Sequence, residues 1–272
     1  MNYWLTVRAA YEIKSFTMQI VTLTTDFGVQ DYFVGTVKGA LLSACERLNI
    51  VDISHNIKSY DIVQAAFTLR NCYTSFPQGT IHVIGVNSFY APNPIFVAVR
   101  HRGHYFIGPD NGLFSLIFPE TYLEAVRLEV SFEGDFPLKM VFSKAVAHLA
   151  NGGDFLGLGQ PGQVLTQRIN FQPITSASQI KGAVVHIDNY DNAILNVSRE
   201  LFNKIGRGRL FELYFRRHDP ITVLGRHYHD VPIGEPLCLF NSADLLEIAI
   251  NMGQAASLLG LQVDDSVQID FL

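Results

Sequence analysis

Residues 19–46 read QIVTLTTDFGVQDYFVGTVKGALLSACE. After Gln19, Ile20 to Thr25 are all apolar or β-branched, the composition of a buried strand. From Asp31 the apolar residues fall at helical spacing, which predicts an amphipathic helix over 31–46 with Gly35 and Gly39 on one face. Strand, short polar turn and helix together make half of a βαβ unit. The alternation continues outward. NIVDISH (49–55) is a second strand, SYDIVQAAFTLRNCYTSF (59–76) a second helix and TIHVIGV (80–86) a third strand. IFVAVRHR (95–102) and HYFIGP (104–109) are two further strands, and KAVAHLANG is a helix ending at Gly152-Gly153. This order predicts an α/β fold, an N-terminal Rossmann-like domain with a mainly parallel sheet covered on both faces.

Beyond GLGQPGQVL (157–165) the texture changes. NFQPITSASQI (170–180) is polar and carries a proline. After it come short apolar runs: KGAVVHIDNY, AILNVS, RLFELYF, PITVL, PLCLF and SVQIDFL. Dense turn signals between them predict a small β-barrel or sandwich. The expected boundaries are an α/β domain over 18–165, a linker over 166–177 and a β-barrel domain over 178–272. Residues 1–17 form an N-terminal extension, broken by Arg8, Glu12 and Lys14 and without a signal peptide's apolar core.

Bulk properties narrow the function classes. The 272 residues are 48% hydrophobic, enough for a large core. A net charge of −5 with no basic stripe argues against nucleic acid as the main partner. No segment approaches the length and apolarity of a membrane span, so the chain reads as soluble and cytoplasmic. Cys45, Cys72 and Cys238 are scattered among apolar residues, as buried free thiols in a reducing compartment are.

Several motifs carry polar chemistry. Asp26 follows the first strand directly, where a carboxylate is either a turn residue or a clamp for a ribose diol. Asp31, in the expected first helical turn, also suits the helix dipole. GPDNGLF (108–114) has turn chemistry. IDNYDNAILN (187–196) spaces Asp188, Asn192 and Asn196 four apart, as an Asx-turn loop or as a donor–acceptor set for a base or amino acid. In FNSADLLEIAINMGQAASLLGL, Ser242 or Asp244 is an N-cap candidate ahead of an apolar stripe that Gly253 breaks. RHYHD puts His227 and His229 on one face of a possible strand beside Asp230, but no third ligand follows at a familiar spacing, and no metal is expected. HRGH (101–104) reads as a hairpin turn, and GRGR (206–209) lacks the ending of a phosphate loop.

Six segments stand in one family's order: TDFGVQDYFVGTVKG, IVDISHNI, GPDNGLF, FSKAVAHLANG, IDNYDNAILN and NSADLLEIAINMGQAASLLGL. From Met18 to Leu272 the chain resembles the S-adenosylmethionine (SAM) hydrolases, or SAM hydroxide adenosyltransferases, which share a fold with fluorinating and chlorinating enzymes. The resemblance implies an α/β domain followed by a small β-barrel. It also implies a homotrimer with ligand sites at subunit interfaces, and SAM, adenosine and methionine as small-molecule ligands without a further cofactor. It puts Asp26 on the ribose hydroxyls, Asp31 on the methionine end, and Asp188 and Ser242 on the amino-acid portion. Tyr190 and Asn192 fall on the adenine, and Tyr60 joins the ligand-binding set.

The same resemblance implies a loss. In the hydrolases an Asp-Pro-Gly-Val-Gly run follows the third strand, and its Asp acts with an Arg a few residues on and a later His. Here the run reads Asn87-Ser88-Phe89-Tyr90-Ala91, the Arg position falls in Pro92-Asn93-Pro94, and Phe136 is followed by Pro137 and Leu138. Asn87 and Tyr90 therefore occupy the catalytic loop without its acid. Tyr90 and His55 are the candidates for a displaced base. The expectation is a family reaction, SAM and water to adenosine and methionine, or a protein that binds these ligands without turnover.

Overall fold

The computed structural model describes residues 18–119, 123–129, 136–169, 171–216 and 218–272. The extension over 1–17 lies outside the described residues. The chain divides after Arg168 into two compact units.

The first unit is built on a seven-stranded sheet: β1 (Gln19–Thr25), β2 (Leu48–Ser54), β3 (Ile81–Gly85), β4 (Phe96–His101), β5 (His104–Pro109), β6 (Glu124–Leu128) and β7 (Gly159–Pro161). Their order is β2-β1-β3-β5-β4-β6-β7. β2, β1, β3 and β5 are parallel neighbours, while β4 and β7 run against the rest, so the sheet is mostly parallel with an antiparallel flank. Central strands here are covered on both faces, and β3 is buried at all five positions. The hairpin between β4 and β5 is the predicted one. Arg102 and Gly103 both have positive φ, 47° and 78°, which a tight two-residue turn requires.

Two apolar layers cover this sheet. Val37 and Leu41 of α1 (Phe33–Ala44) join Ala145 and Val146 of α4 (Ser143–Ala150) on one face. Ala65 and Leu69 of α2 (Ile62–Arg70) join Leu113 and Phe114 of α3 (Leu113–Ile117) on the other. α1 starts later than expected. Asp31 stands before the flanking residue Tyr32 rather than in the first turn, and no acidic residue lies in that turn. α2 starts later than the expected 59, where Asp61 accepts the Gln64 N–H at 2.9 Å and caps the helix.

The second unit holds an antiparallel sheet of β8 (Ile174–Thr175), β9 (Gln179–Ile187), β10 (Ala193–Ser198), β11 (Phe211–Phe215), β12 (Pro236–Phe240), β13 (Leu245–Ile250) and β14 (Ser266–Phe271). The order is β11-β14-β9-β10-β13-β12, with β8 added on β9. β8 lies in the stretch read as linker. The sheet curls as a half-barrel around Ile180, Leu195, Leu213, Leu246 and Ile269. Between its edges, Ile221 exchanges backbone hydrogen bonds with Leu213, and Cys238 donates to Val223. Two expectations are corrected here. The apolar stripe after Ser242 is strand β13, followed by the short helix α6 (Ala255–Leu259); antiparallel pairing with β10 on one side and β12 on the other, which buries Leu246 to Ile250 without a break, outweighs its helical spacing. RHYHD is a single 3-10 turn, Tyr228–Asp230, because Asp230 Oδ2 accepts the N–H groups of Arg226 and His227 and folds the chain back. Helix α5 (Arg199–Gly206), capped by Ser198 Oγ on the Leu201 N–H, was not anticipated. No helix among the described residues is long and apolar enough to cross a membrane.

Candidate functional site

The chain steps from β2 across β1 to β3, so the strand order reverses between β1 and β3. The carboxyl ends of such a strand pair leave a crevice, the usual ligand position in an open α/β sheet. Asp26 caps β1 at this point. Its backbone N–H donates to Gly85 O at 3.4 Å, and its Oδ2 accepts the N–H groups of Tyr60 at 2.9 Å and Asn87 at 3.2 Å. Tyr60 and Asn87 both have left-handed backbones, with φ of 68° and 47°. Non-glycine residues adopt that conformation when surrounding contacts fix it, and strained backbone clusters at ligand sites. One carboxylate oxygen therefore gathers two loops.

The loop after β3 is fixed from its other side by the motif read as a turn. Asn111 Nδ2 donates to the carbonyls of Val86 and Asn87, each at 3.1 Å, and its Oδ1 accepts the Leu113 N–H at 3.2 Å. Gly112, with φ of 98°, allows the chain to enter α3 directly afterwards. Beside Asn111, buried Asp110 accepts the Thr166 N–H at 2.8 Å, and burial raises its carboxyl above the ordinary range. Turn composition announced the bend in GPDNGLF; it did not announce the clamp.

A cavity of about 490 Å³ opens against these loops, and Asp26, Tyr60, Asn87, Ser88, Phe89 and Leu138 are among its lining residues. Phe27, Phe33 and Phe136 pack edge-on or tilted to one another and form an apolar wall. Leu138 is buried and fills the space over Gly85, where a Cβ would come within 2.4 Å of Leu138 Cδ2. Asp31 and Tyr90 do not line this cavity. The Tyr90 hydroxyl accepts the Ile95 N–H at 3.1 Å and closes its own loop.

His55 is buried beneath the site. Its Nδ1 lies 2.8 Å from Thr25 Oγ1 and its Nε2 3.1 Å from Asp52 Oδ1, while Lys38 Nζ reaches Asp52 Oδ2 at 2.6 Å. Burial pushes the Asp52 carboxyl up, but the Lys38 and His55 hydrogen bonds outweigh it and hold the group below its ordinary value. The His55 carbonyl also accepts the Gly28 N–H at 2.8 Å. His55 thus joins the ends of β1 and β2 and supports the Asp26 turn.

In the second unit, Asp188 and Asn192 satisfy each other. Asp188 Oδ1 accepts the N–H groups of Tyr190 and Asn192 at 2.9 Å, and its Oδ2 accepts Asn192 Nδ2 at 3.1 Å. This is the Asx-turn reading of IDNYDN, and it leaves the Tyr190 ring exposed. Ser242 is exposed in the turn between β12 and β13, where Asn241 Oδ1 accepts the N–H groups of Ala243 and Leu245. Sequence reading passed over Glu247, which is buried on β13 and accepts the Tyr228 hydroxyl at 2.8 Å. Burial raises the Glu247 carboxyl and, with Glu247 as partner, the Tyr228 hydroxyl. No group of three or more metal-ligating side chains occurs among the described residues.

Residues 21–159 match the SAM hydroxide adenosyltransferase N-terminal domain, and residues 182–268 match the corresponding C-terminal domain. The chain belongs to this family. The (R)-S-adenosyl-L-methionine hydrolase of Thermus thermophilus is 30% identical over 259 residues, covering 90% of this chain and 97% of the relative. That of Methanocaldococcus jannaschii is 26% identical over 271 residues, covering 93% and 96%. A crystal structure of an uncharacterized conserved protein from Thermotoga maritima superposes with a TM-score of 0.84 at 24% identity, covering 92% of this chain and 99% of that one. Within the family frame, Asp26, Tyr60 and Asn87 come together in the first unit, and Asp188, Tyr190 and Asn192 in the second. Asp31 and Tyr90 are outside the cavity lining, and Ser242 lies in the turn between β12 and β13.

Proposed function

We propose that this chain binds S-adenosylmethionine or adenosine at the carboxyl edge of β1 and β3, and that it hydrolyses S-adenosylmethionine weakly or not at all. The observation that carries the reading is that Asp26, a carboxylate held by the backbone N–H groups of Tyr60 and Asn87, lines one cavity with the neutral side chain of Asn87. A carboxylate held in that way accepts hydrogen bonds from a ribose diol. Asn87 cannot take a proton from water, and Phe136, Pro137 and Leu138 bring no base to the cavity wall. General-base assistance alone contributes about 10²–10⁴-fold in rate, so its loss leaves little turnover.

The alternative, hydrolysis with a displaced base, finds little support in its two candidates. The Tyr90 hydroxyl is engaged by Ile95, and His55 is enclosed between Thr25 and Asp52. By family resemblance each site lies between subunits, where Tyr190 and Asn192 of a neighbouring copy hold adenine and Asp188 and Ser242 of that copy join Asp31 on the amino-acid portion. By family resemblance the protein is a cytoplasmic homotrimer whose second unit is a small β-barrel. The backbone hydrogen bonds of Ile221 and Val223 to opposite edge strands support that closure. The test is calorimetry of purified protein with S-adenosylmethionine and adenosine, beside chromatography of the incubated mixture. Binding without adenosine release supports the reading; no binding of either ligand refutes it.

A further inference from the structure

We propose that Ser88 contacts the ligand and selects a nucleoside carrying a 5′-hydroxyl, such as adenosine, over the sulfonium of S-adenosylmethionine. The inference rests on the reading that Asp26 takes the ribose diol. Ser88 is 9% exposed, and its Oγ has no hydrogen-bond partner among the described residues. It lines the same cavity as Asp26 and follows the residue whose N–H Asp26 holds. The backbone before it is pinned from two sides, by Asp26 on the Asn87 N–H and by Asn111 on the carbonyls of Val86 and Asn87. The segment that leads into Ser88 is therefore held in place by Asp26 and Asn111. Neighbouring lining residues Phe89, Phe136, Pro137 and Leu138 offer no polar side-chain atom.

A buried hydroxyl left unpaired is unfavourable, and native proteins rarely keep one that nothing satisfies. A ligand atom that pairs with it recovers that cost on binding. The 5′-hydroxyl of a nucleoside both accepts from and donates to Ser88 Oγ. A sulfonium centre carries a positive charge and gives the hydroxyl proton no acceptor. Nor does the loop after β3 offer that charge a carboxylate, since Asn87 is neutral. A site built to hydrogen-bond a hydroxyl discriminates strongly against analogues that lack it.

The experiment is calorimetry of wild type, Ser88→Ala and Ser88→Thr with adenosine, 5′-deoxyadenosine and S-adenosylmethionine, with Asp26→Ala as a control and thermal melts confirming the fold of each. Wild type is expected to bind adenosine more tightly than either other ligand. Ser88→Ala should weaken adenosine about tenfold or more, leave 5′-deoxyadenosine unchanged, and be matched by near-normal binding in Ser88→Thr. Equal losses for adenosine and 5′-deoxyadenosine, no loss for either, or tighter binding of S-adenosylmethionine overturns the inference. Adenosine binding lost in Asp26→Ala but untouched in Ser88→Ala removes Ser88 alone. No binding of any of the three by wild type removes the Asp26 reading and this one with it.

Discussion

Asp26 Oδ2 lies 3.2 Å from the Asn87 backbone nitrogen, and the two residues stand at the carboxyl ends of adjacent parallel strands. The carboxylate also holds Tyr60, so one side chain sets the shape of two loops. Asp26→Ala removes both charge-assisted hydrogen bonds and the proposed ribose contact. Adenosine binding should weaken by about 100-fold or more, with melting a few degrees lower. Calorimetry and a thermal melt check both; an unchanged dissociation constant means the ribose is held elsewhere.

Restoring the acid alone should not restore the reaction. In Asn87→Asp a second carboxylate joins Asp26, with Pro92, Asn93 and Pro94 in place of any basic partner. The new carboxylate would still lack the Arg and His partners that the family resemblance pairs with it, so nothing orients it or a water for proton transfer. Adenosine release from S-adenosylmethionine by this variant should stay within about tenfold of the parent. A rise of several orders of magnitude would show that position 87 by itself had silenced the chemistry.

Gly85 ends β3 because Leu138 occupies the space a side chain would need. Gly85→Ala brings its Cβ to 2.4 Å from Leu138 Cδ2 in a buried layer. Overpacking of this kind costs roughly 1–3 kcal/mol. Urea unfolding should report a loss of that size, with partial recovery when Leu138→Ala is added. Additive losses in the double variant would mean that the two side chains do not compete for one space.

Acid lability follows from the buried histidines. His82 on β3 lies 2.7 Å from Thr22 Oγ1 and 3.2 Å from His104 Nδ1, against Tyr73, Phe76 and Phe106. Burial, and then His104, lowers its pKa from 6.5 to about 3. Between those values the unfolded chain takes up a proton that the folded chain refuses. Stability therefore falls as pH drops through that window, by up to about 1.4 kcal/mol per pH unit from this group. His82→Gln should flatten the dependence of the urea midpoint on pH between about 6 and 4. Parallel curves for variant and parent would assign the lability to other groups.

The parts of this molecule that repeat a simple period were legible in the sequence. β1, β3, β4 and β5 are apolar runs bounded by turn residues, and the Arg102-Gly103 hairpin follows from its composition. Leu245–Ile250 was not legible as a strand, because its apolar run also suits a helix and its strand neighbours decide the matter. At the site, Asp26 could be placed because it follows a strand directly. The roles of Asn111 and Glu247 could not, since each depends on partners distant in sequence, Asn87 for one and Tyr228 for the other. A lone amide or acid in an apolar run gives no sign of what it will meet.

We propose a pocket that keeps its nucleoside grip without water activation. Its most direct test is incubation of the purified protein with S-adenosylmethionine, following adenosine by chromatography while calorimetry measures binding. Saturable binding of S-adenosylmethionine or adenosine is expected, with adenosine release at the level of the buffer control. Sustained release far above that control would contradict it.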